Sequence, residues 1–215
     1  AILLAGIFTE GVTAVTETFP TRNHTEIMLS SFGGKISSSE GTVTVQGRSK
    51  LEGAKIFIPS DISSAAFFLV AASILKDSEI TVKDVGVNPT RTGVVDILKK
   101  MGVKIDISNI SSKNGEIIGD ISASTSSLKG ISIGGEIVPR TIDEFPIIFI
   151  AAAMAEGVTY VTGIKELRVK ESDRIAAMAK GLREMGIKVK EGEGEITIEG
   201  KGNFKGARIG SSGDH

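Results

Sequence analysis

Three times along the chain a helical pattern of apolar residues stops at a glycine and gives way to two runs that alternate polar and apolar positions. The clearest case is Ile175, Met178, Leu182 and Met185, spaced three to four residues apart and ending at Gly186. The same pattern ends at Gly33 and at Gly102. After each glycine the alternation runs from Ile36 through Gly41 to Val45, from Val103 through Gly115 to Ile118, and from Ile187 through Gly194 to Ile198. Each predicts strand, turn, strand. Upstream of each stripe an apolar, alanine-containing helix is expected, at residues 2–6, 67–71 and 148–152. Each leads into a short β-branched strand around Val15, Val82 and Val161. Two of these helices follow a further expected strand that runs out into an aspartate, from Ile56 to Asp61 and from Ile131 to Asp143, and another such segment begins at Ala207 and reaches Asp214.

The repeating unit is therefore strand, helix, strand, helix, strand, strand, over about 70 to 80 residues, too long for a solenoid repeat. It predicts an α/β fold of mixed sheets, each covered by two helices on one side. The first unit lacks its leading strand and aspartate, the last stops at Gly213-Asp214-His215, and no methionine opens the chain. The expectation is the interior of a longer protein, with residues from about Gly53 to Gly202 forming one natural domain and the preceding partial unit belonging to another.

Charge changes this picture. Five charged side chains fall within residues 167–174, Leu-Arg-Val-Lys-Glu-Ser-Asp-Arg, immediately before the third stripe. Arg174 thus falls in a first turn, where unpaired N–H groups and the helix dipole disfavour a cation. Thr21-Arg22 and Thr90-Arg91 precede the other two stripes in the same way. Glu171 and Asp173 could neutralise Arg174 as a solvated cap. The recurrence of the pattern points instead to an outside anion.

Composition narrows the function classes. The chain has 215 residues, 40% hydrophobic and 24% charged, with a formal net charge of -1, which provides no basic field for nucleic acid. Cysteine is absent, so disulfides, thiolate nucleophiles and zinc–thiolate sites are excluded from it, and with His24 and His215 as its two histidines no metal site is expected. The longest apolar runs, such as residues 65–74, fall far short of a membrane span.

Residues 167–174 with Ile175-Ala176 closely resemble the signature of the 5-enolpyruvylshikimate-3-phosphate synthases, a family of enolpyruvyl transferases. Residues 21–26, Pro59-Ser60-Asp61-Ile62-Ser63-Ser64-Ala65-Ala66, Asn88-Pro89-Thr90-Arg91-Thr92-Gly93, Ile142-Asp143-Glu144-Phe145-Pro146 and Gly213-Asp214-His215 resemble the same family in order along the whole chain. The resemblance implies a two-domain inverse α/β barrel, each domain built from three copies of the unit, with substrates in the cleft between them. The break would fall near residues 57–60, giving 1–57 to one domain and 58–215 to the second. The implied reaction transfers the enolpyruvyl group of phosphoenolpyruvate to the 5-hydroxyl of shikimate 3-phosphate and releases phosphate, without metal or cofactor. A cytoplasmic monomer with no nucleic-acid or membrane partner is implied too.

The resemblance also assigns roles. Asp143 would contact the substrate hydroxyl as acceptor or base, and Glu171 would exchange the proton at the methyl carbon. Arg174 would grip phosphoenolpyruvate, while Lys170 would meet the phosphate or hydroxyls of shikimate 3-phosphate. Thr21 and Arg22 would sit at its 3-phosphate with His24 near them, and Asp214 and His215 would be the last catalytic pair. Capping alone would explain an aspartate before a helix, the reading preferred for Asp61. His24 could equally hydrogen-bond a helix start, Arg91 is read as structural or marginal to the cleft, and Met178 and Met185 as core fillers. The family's N-terminal lysine strand, its arginine loop, the arginine expected after His215 and the C-terminal lysine segment are not in this sequence, so the isolated chain is expected to be inactive. The sister transferase acting on UDP-N-acetylglucosamine, and a non-catalytic anion-binding module on the same fold, are the rival readings.

Overall fold

The computed structural model describes residues 1–214. The unit recurs as expected. The first copy comprises α1 (Ile2–Gly6), β1 (Val12–Thr16), α2 (His24–Ser31), β2 (Ile36–Ser39) and β3 (Thr42–Gln46). The second comprises α3 (Ile62–Ile74), β4 (Glu79–Gly86), α4 (Gly93–Lys100), β5 (Lys104–Lys113) and β6 (Glu116–Ser124). The third comprises β7 (Ser132–Ile133), α5 (Phe145–Met154), β8 (Gly157–Thr162), α6 (Arg174–Glu184), β9 (Lys188–Glu191) and β10 (Glu195–Gly200). Their sheets repeat one strand order, β1-β3-β2, β4-β6-β5 and β7-β8-β10-β9. The described strands thus lie in three separate open sheets and close no barrel.

Local chemistry sets the helix ends. Gly33, Gly102 and Gly186 all adopt positive φ, and each donates to the carbonyl three residues back. The following amides reach one residue further, from Gly34 to Leu29, Val103 to Leu98 and Ile187 to Leu182, at 2.8 to 2.9 Å. Such a left-handed stop reverses the chain into a strand, and glycine adopts it without a Cβ penalty. Glu40-Gly41 and Asn114-Gly115, both with positive φ, then form the two-residue hairpin turns whose twist matches paired strands.

The leading strands are shorter than the sequence suggests. β7 has two residues, parallel to β8. In the second unit the expected strand from Ile56 shrinks to a single parallel bridge between Ser60 and Val85, because Pro59 has no N–H to donate. Ile58 is 75% exposed there. The segment from Ala207 forms no strand.

Apolar side chains gather into two separate cores. A small one joins Leu3, Ile7, Leu29, Val43 and Val45. A large one runs from Ile62 to Ile198 and is centred on α5, whose Ile148, Phe149 and Ala151 to Ala153 have no exposure. Each large apolar side chain buried in this way contributes about 1.5 to 3 kcal/mol. The seam between the cores includes several polar contacts. Asn114 accepts from the Phe57 amide (3.0 Å) and donates to the Lys55 carbonyl (2.7 Å), while Ser31 Oγ donates to the Asn114 carbonyl (2.8 Å) and Asn88 Nδ2 to Asn23 Oδ1 (2.7 Å).

Helix α4 approaches the start of α5 so closely that a Cβ at Gly93 would collide with Thr141 Oγ1 and lie 2.9 Å from the Arg140 carbonyl. Gly93→Ala is expected to destabilise the chain by about 1 to 3 kcal/mol in urea denaturation despite alanine's better helix propensity. Gly53→Ala, where an added Cβ meets nothing within 4 Å, is expected to leave the midpoint unchanged.

Candidate active site

The 167–174 segment folds as a 3-10 turn over Lys165–Val169, an extended Lys170, and the N-terminus of α6. Arg168 holds it in place, donating to the carbonyls of Glu193 (2.7 Å) and Gly192 and to Asp173 Oδ2 (2.6 Å). Asp173 is the N-cap, accepting from the Ala176 amide at 2.9 Å. Burial works to raise its carboxyl, but that amide bond and Arg168 together hold it below the ordinary value. Asp173 is thus already committed.

The counter-charge of Arg174 comes from elsewhere in the chain. Its Nε and Nη2 each donate to Asp214 at 3.0 Å, and Nη2 also meets Glu171 Oε2 at 2.8 Å. Ser172 Oγ donates to the same aspartate at 2.6 Å. Two carboxylates therefore stand where the sequence suggested an outside anion, because the loop carrying Asp214 folds back over the start of α6.

Asp143 stands just ahead of α5 between two cations from different parts of the fold. Arg22, ahead of α2, pairs with its Oδ2, and Lys170 Nζ lies 3.8 Å from Oδ1 and 2.8 Å from Glu166. Burial tends to raise the Asp143 carboxyl, but the Arg22 hydrogen bond and the charges of Arg22, Lys170 and Arg91 outweigh it and hold it below the ordinary carboxylate value. Asp143, Lys170, Glu171, Arg174 and Asp214 all line one cleft of about 750 Å³. Its apolar wall includes Phe67, Ile150, Met178 and Met185, so the two methionines line the cleft rather than only filling core. A smaller concavity of about 390 Å³ contains none of these groups.

The family model described as EPSP synthase (3-phosphoshikimate 1-carboxyvinyltransferase) matches residues 1–215, the whole chain. The chain belongs to the EPSP synthase family. It is 49% identical to the 3-phosphoshikimate 1-carboxyvinyltransferase of Geobacter sulfurreducens over 215 residues, which is 50% of that protein. With the Halorhodospira halophila protein of the same name the identity is 51%, over 48% of its length. The chain thus spans about half the length of the curated relatives it matches. Among solved structures, EPSP synthase from Acinetobacter baumannii superimposes with a TM-score of 0.87 at 52% identity, covering 94% of this chain and 46% of that one. The enolpyruvyl transferase NikO from Streptomyces tendae shares the fold, with a TM-score of 0.71 at 18% identity, covering 92% of this chain and 45% of that one.

Not every residue that the EPSP synthase resemblance singled out joins the cluster. Thr21 turns its hydroxyl and amide to Glu17, and His24 Nδ1 meets Glu116 Oε1 at 2.6 Å. Neither lines the cleft, so Arg22 alone of the 21–24 group meets Asp143. His215 lies outside the described residues. Asp61 caps α3 as expected, accepting from the amide and hydroxyl of Ser64, both at 2.9 Å, and it also lines the cleft. Burial tends to raise its carboxyl, and those Ser64 bonds with the nearby Arg91 hold it low. No group of three or more metal-ligating side chains occurs among the described residues.

Sequence reasoning passed over Glu144 and Ser63, which hydrogen-bond each other at 2.5 Å behind the cleft. A polar residue just before an apolar helix reads as a cap. Glu144 occupies that position but makes no side-chain cap bond and is almost fully buried. The one available signal was its place next to Asp143 ahead of an unbroken apolar run.

The depressed Asp143 titration gives a signed stability prediction. Its ion pair stabilises the fold fully above the ordinary aspartate value and is lost as pH falls through the folded-state value. The difference in unfolding free energy between the parent and Asp143→Asn should therefore be largest at neutral pH and shrink on acidification. Urea midpoints across pH measure it, and a pH-independent difference would contradict the assigned ion pairs.

Proposed function

We propose that this chain carries part of the site at which an enolpyruvyl transferase moves the enolpyruvyl group of phosphoenolpyruvate onto the 5-hydroxyl of shikimate 3-phosphate and releases phosphate. The observation that carries the reading is Asp143 held between Arg22 and Lys170 beside a cleft that Glu171 and Arg174 also line. Family membership supplies the reaction class.

Both substrates are polyanions, and guanidinium and ammonium groups are suited to phosphate and carboxylate. In the free chain these cations are neutralised by its own carboxylates, so binding is an exchange of partners. The phosphate of shikimate 3-phosphate draws Arg22 and Lys170 away from Asp143. A carboxylate relieved of its cations becomes more basic, and Asp143 then accepts the proton of the attacking hydroxyl. At Arg174 phosphoenolpyruvate displaces Glu171, which, freed of the guanidinium, takes up a proton from solvent and delivers it to the methylene carbon. Addition forms the carbon–oxygen bond at the central carbon and a methyl group; elimination breaks the bond to phosphate, which leaves with the proton held by Asp143, and a methyl proton returns to Glu171. Asp214 completes the Arg174 side, and His215 keeps the role of its partner in the last catalytic pair that the family resemblance gives it. Thr21 and His24 flank the Arg22 phosphate contact once Glu17 and Glu116 release them.

We also assign residues 1–57 to one domain and 58–215 to a second, a division supported by the two separate cores. Soluble small anions as sole partners, no nucleic acid or membrane, and a cytoplasmic monomer complete the reading. The net charge of -1 agrees with it, and no described helix is long and apolar enough to cross a membrane.

Thermal unfolding with shikimate 3-phosphate, UDP-N-acetylglucosamine or inorganic phosphate tests the binding half of this reading. Selective binding at a hundredfold excess over Kd adds about 2.7 kcal/mol, a rise of several degrees expected with shikimate 3-phosphate alone. A response to the UDP-sugar would move the assignment to the sister transferase, and no response to any ligand would refute a preformed half-site. In the full-length polypeptide containing these residues, Glu171→Gln is expected to abolish turnover while shikimate 3-phosphate still binds. Unchanged turnover would remove Glu171 from proton transfer.

A further inference from the structure

Two side chains behind the cleft each leave a buried polar atom without a hydrogen-bond partner among the described residues, Glu144 Oε2 and Arg91 Nε. The Glu144 side chain is 1% exposed and that of Arg91 16%. Ser63 links them. Arg91 Nη2 donates to Ser63 Oγ at 2.7 Å, and Ser63 Oγ donates to Glu144 Oε1 at 2.5 Å. A guanidinium only donates, so Ser63 Oγ accepts from Arg91 and turns its one hydrogen to Glu144 Oε1. Arg91 Nη2 is also 3.6 Å from Glu144 Oε1 and 3.6 Å from Asp61 Oδ1, so its charge holds both carboxylates.

A carboxyl is unfavourable in such a place unless it is hydrogen-bonded and paired. Burial pushes Glu144 above its ordinary value, and the charge of Asp143 adds to that, against the Ser63 bond and Arg91. What this arrangement achieves is mechanical. It ties the start of α5 to the first turn of α3 and to the loop that carries Arg91. That loop is anchored in turn, since Asn88 Oδ1 accepts from the amide (3.0 Å) and hydroxyl (2.8 Å) of Thr90 while its Nδ2 donates to Asn23, the neighbour of Arg22. Asp143 precedes Glu144 directly and must meet cations from two different units at once.

We propose that Arg91, Ser63 and Glu144 form a buried clamp that positions Asp143 against Arg22 and Lys170. The three are positioning residues, acting through the backbone at the start of α5. The catalytic consequence rests on the role of Asp143 proposed above, but the clamp itself does not.

Carbon-13 NMR titration of the Asp143 carboxyl in this chain, assigned with Asp143→Asn, tests the clamp without substrate. Arg22, Lys170, Arg91, Arg174 and Glu144 supply the charges around Asp143. Ser63→Ala keeps all of these side chains, and although it removes a bond that holds the Glu144 carboxyl down, loss of the Glu144 charge would by itself move Asp143 downward. The Asp143 midpoint is expected to move up toward the ordinary value in Ser63→Ala and to return in Ser63→Thr, which restores the hydroxyl. A lower melting temperature with an unmoved midpoint would overturn the clamp, leaving Ser63 only structural. Should Ser63→Ala not fold, Arg91→Lys, which keeps the charge but not the guanidinium geometry, is read in the same way. In the full-length polypeptide Ser63→Ala is expected to lower kcat by about 10- to 100-fold with KM for shikimate 3-phosphate changed less than about threefold. A moved midpoint with unchanged kcat would uphold the clamp and overturn the catalytic role of Asp143.

Discussion

A guanidinium beside the N-terminus of a helix sits in an unfavourable field unless a carboxylate stands against it, and the architecture of this chain follows from meeting that condition three times. Arg22 and Arg91 precede the N-caps of α2 and α4, and Arg174 is the first residue of α6. Arg22 and Arg174 find their carboxylate at a segment that leads another unit, at Asp143 and Asp214, and Arg91 finds one at Glu144 of the next unit as well as at Asp61 of its own. The second helix of one unit is thereby joined to the entrance of a first helix elsewhere. Charges that would be a liability inside one unit become the connections between units, and the cleft lies where those connections converge.

The repeat was legible in the sequence because its signals are local. A glycine after an apolar stripe, a two-residue turn between alternating runs and an alanine-rich helix each act over a few residues, and the structure keeps them. The leading strands were not legible. Their parallel pairing depends on residues about 25 positions away, and the apolar run at Ile56 is cut short by Pro59. The site divides in the same way. Asp143, Lys170, Glu171 and Arg174 converge because the α6 signature and the entrance to α5 face one cleft. Thr21 and His24 look equally chemical in sequence, yet nearer carboxylates at Glu17 and Glu116 hold them. Glu144 was hidden for the converse reason. Its side-chain direction is set by the packing of α3 on α5, which no local pattern encodes.

Self-neutralisation also determines how such a cleft discriminates. With a net charge of -1 the chain gains little from long-range attraction of anions, and an anion must displace a carboxylate that already satisfies each cation. A ligand that meets one cation leaves an exposed or half-buried carboxylate without its partner and gains little. One that spans Arg22 and Lys170 and also offers a hydroxyl to Asp143 replaces every interaction it breaks. Selectivity then comes from geometry rather than from charge, since a carboxylate left without its cation loses an interaction that a pair exchanged whole replaces. The rigidity of the cleft entrance consequently matters as much as its charge. A start of α5 free to shift would let Asp143 follow its cations, and the exchange would no longer distinguish a matched polyanion from simple phosphate.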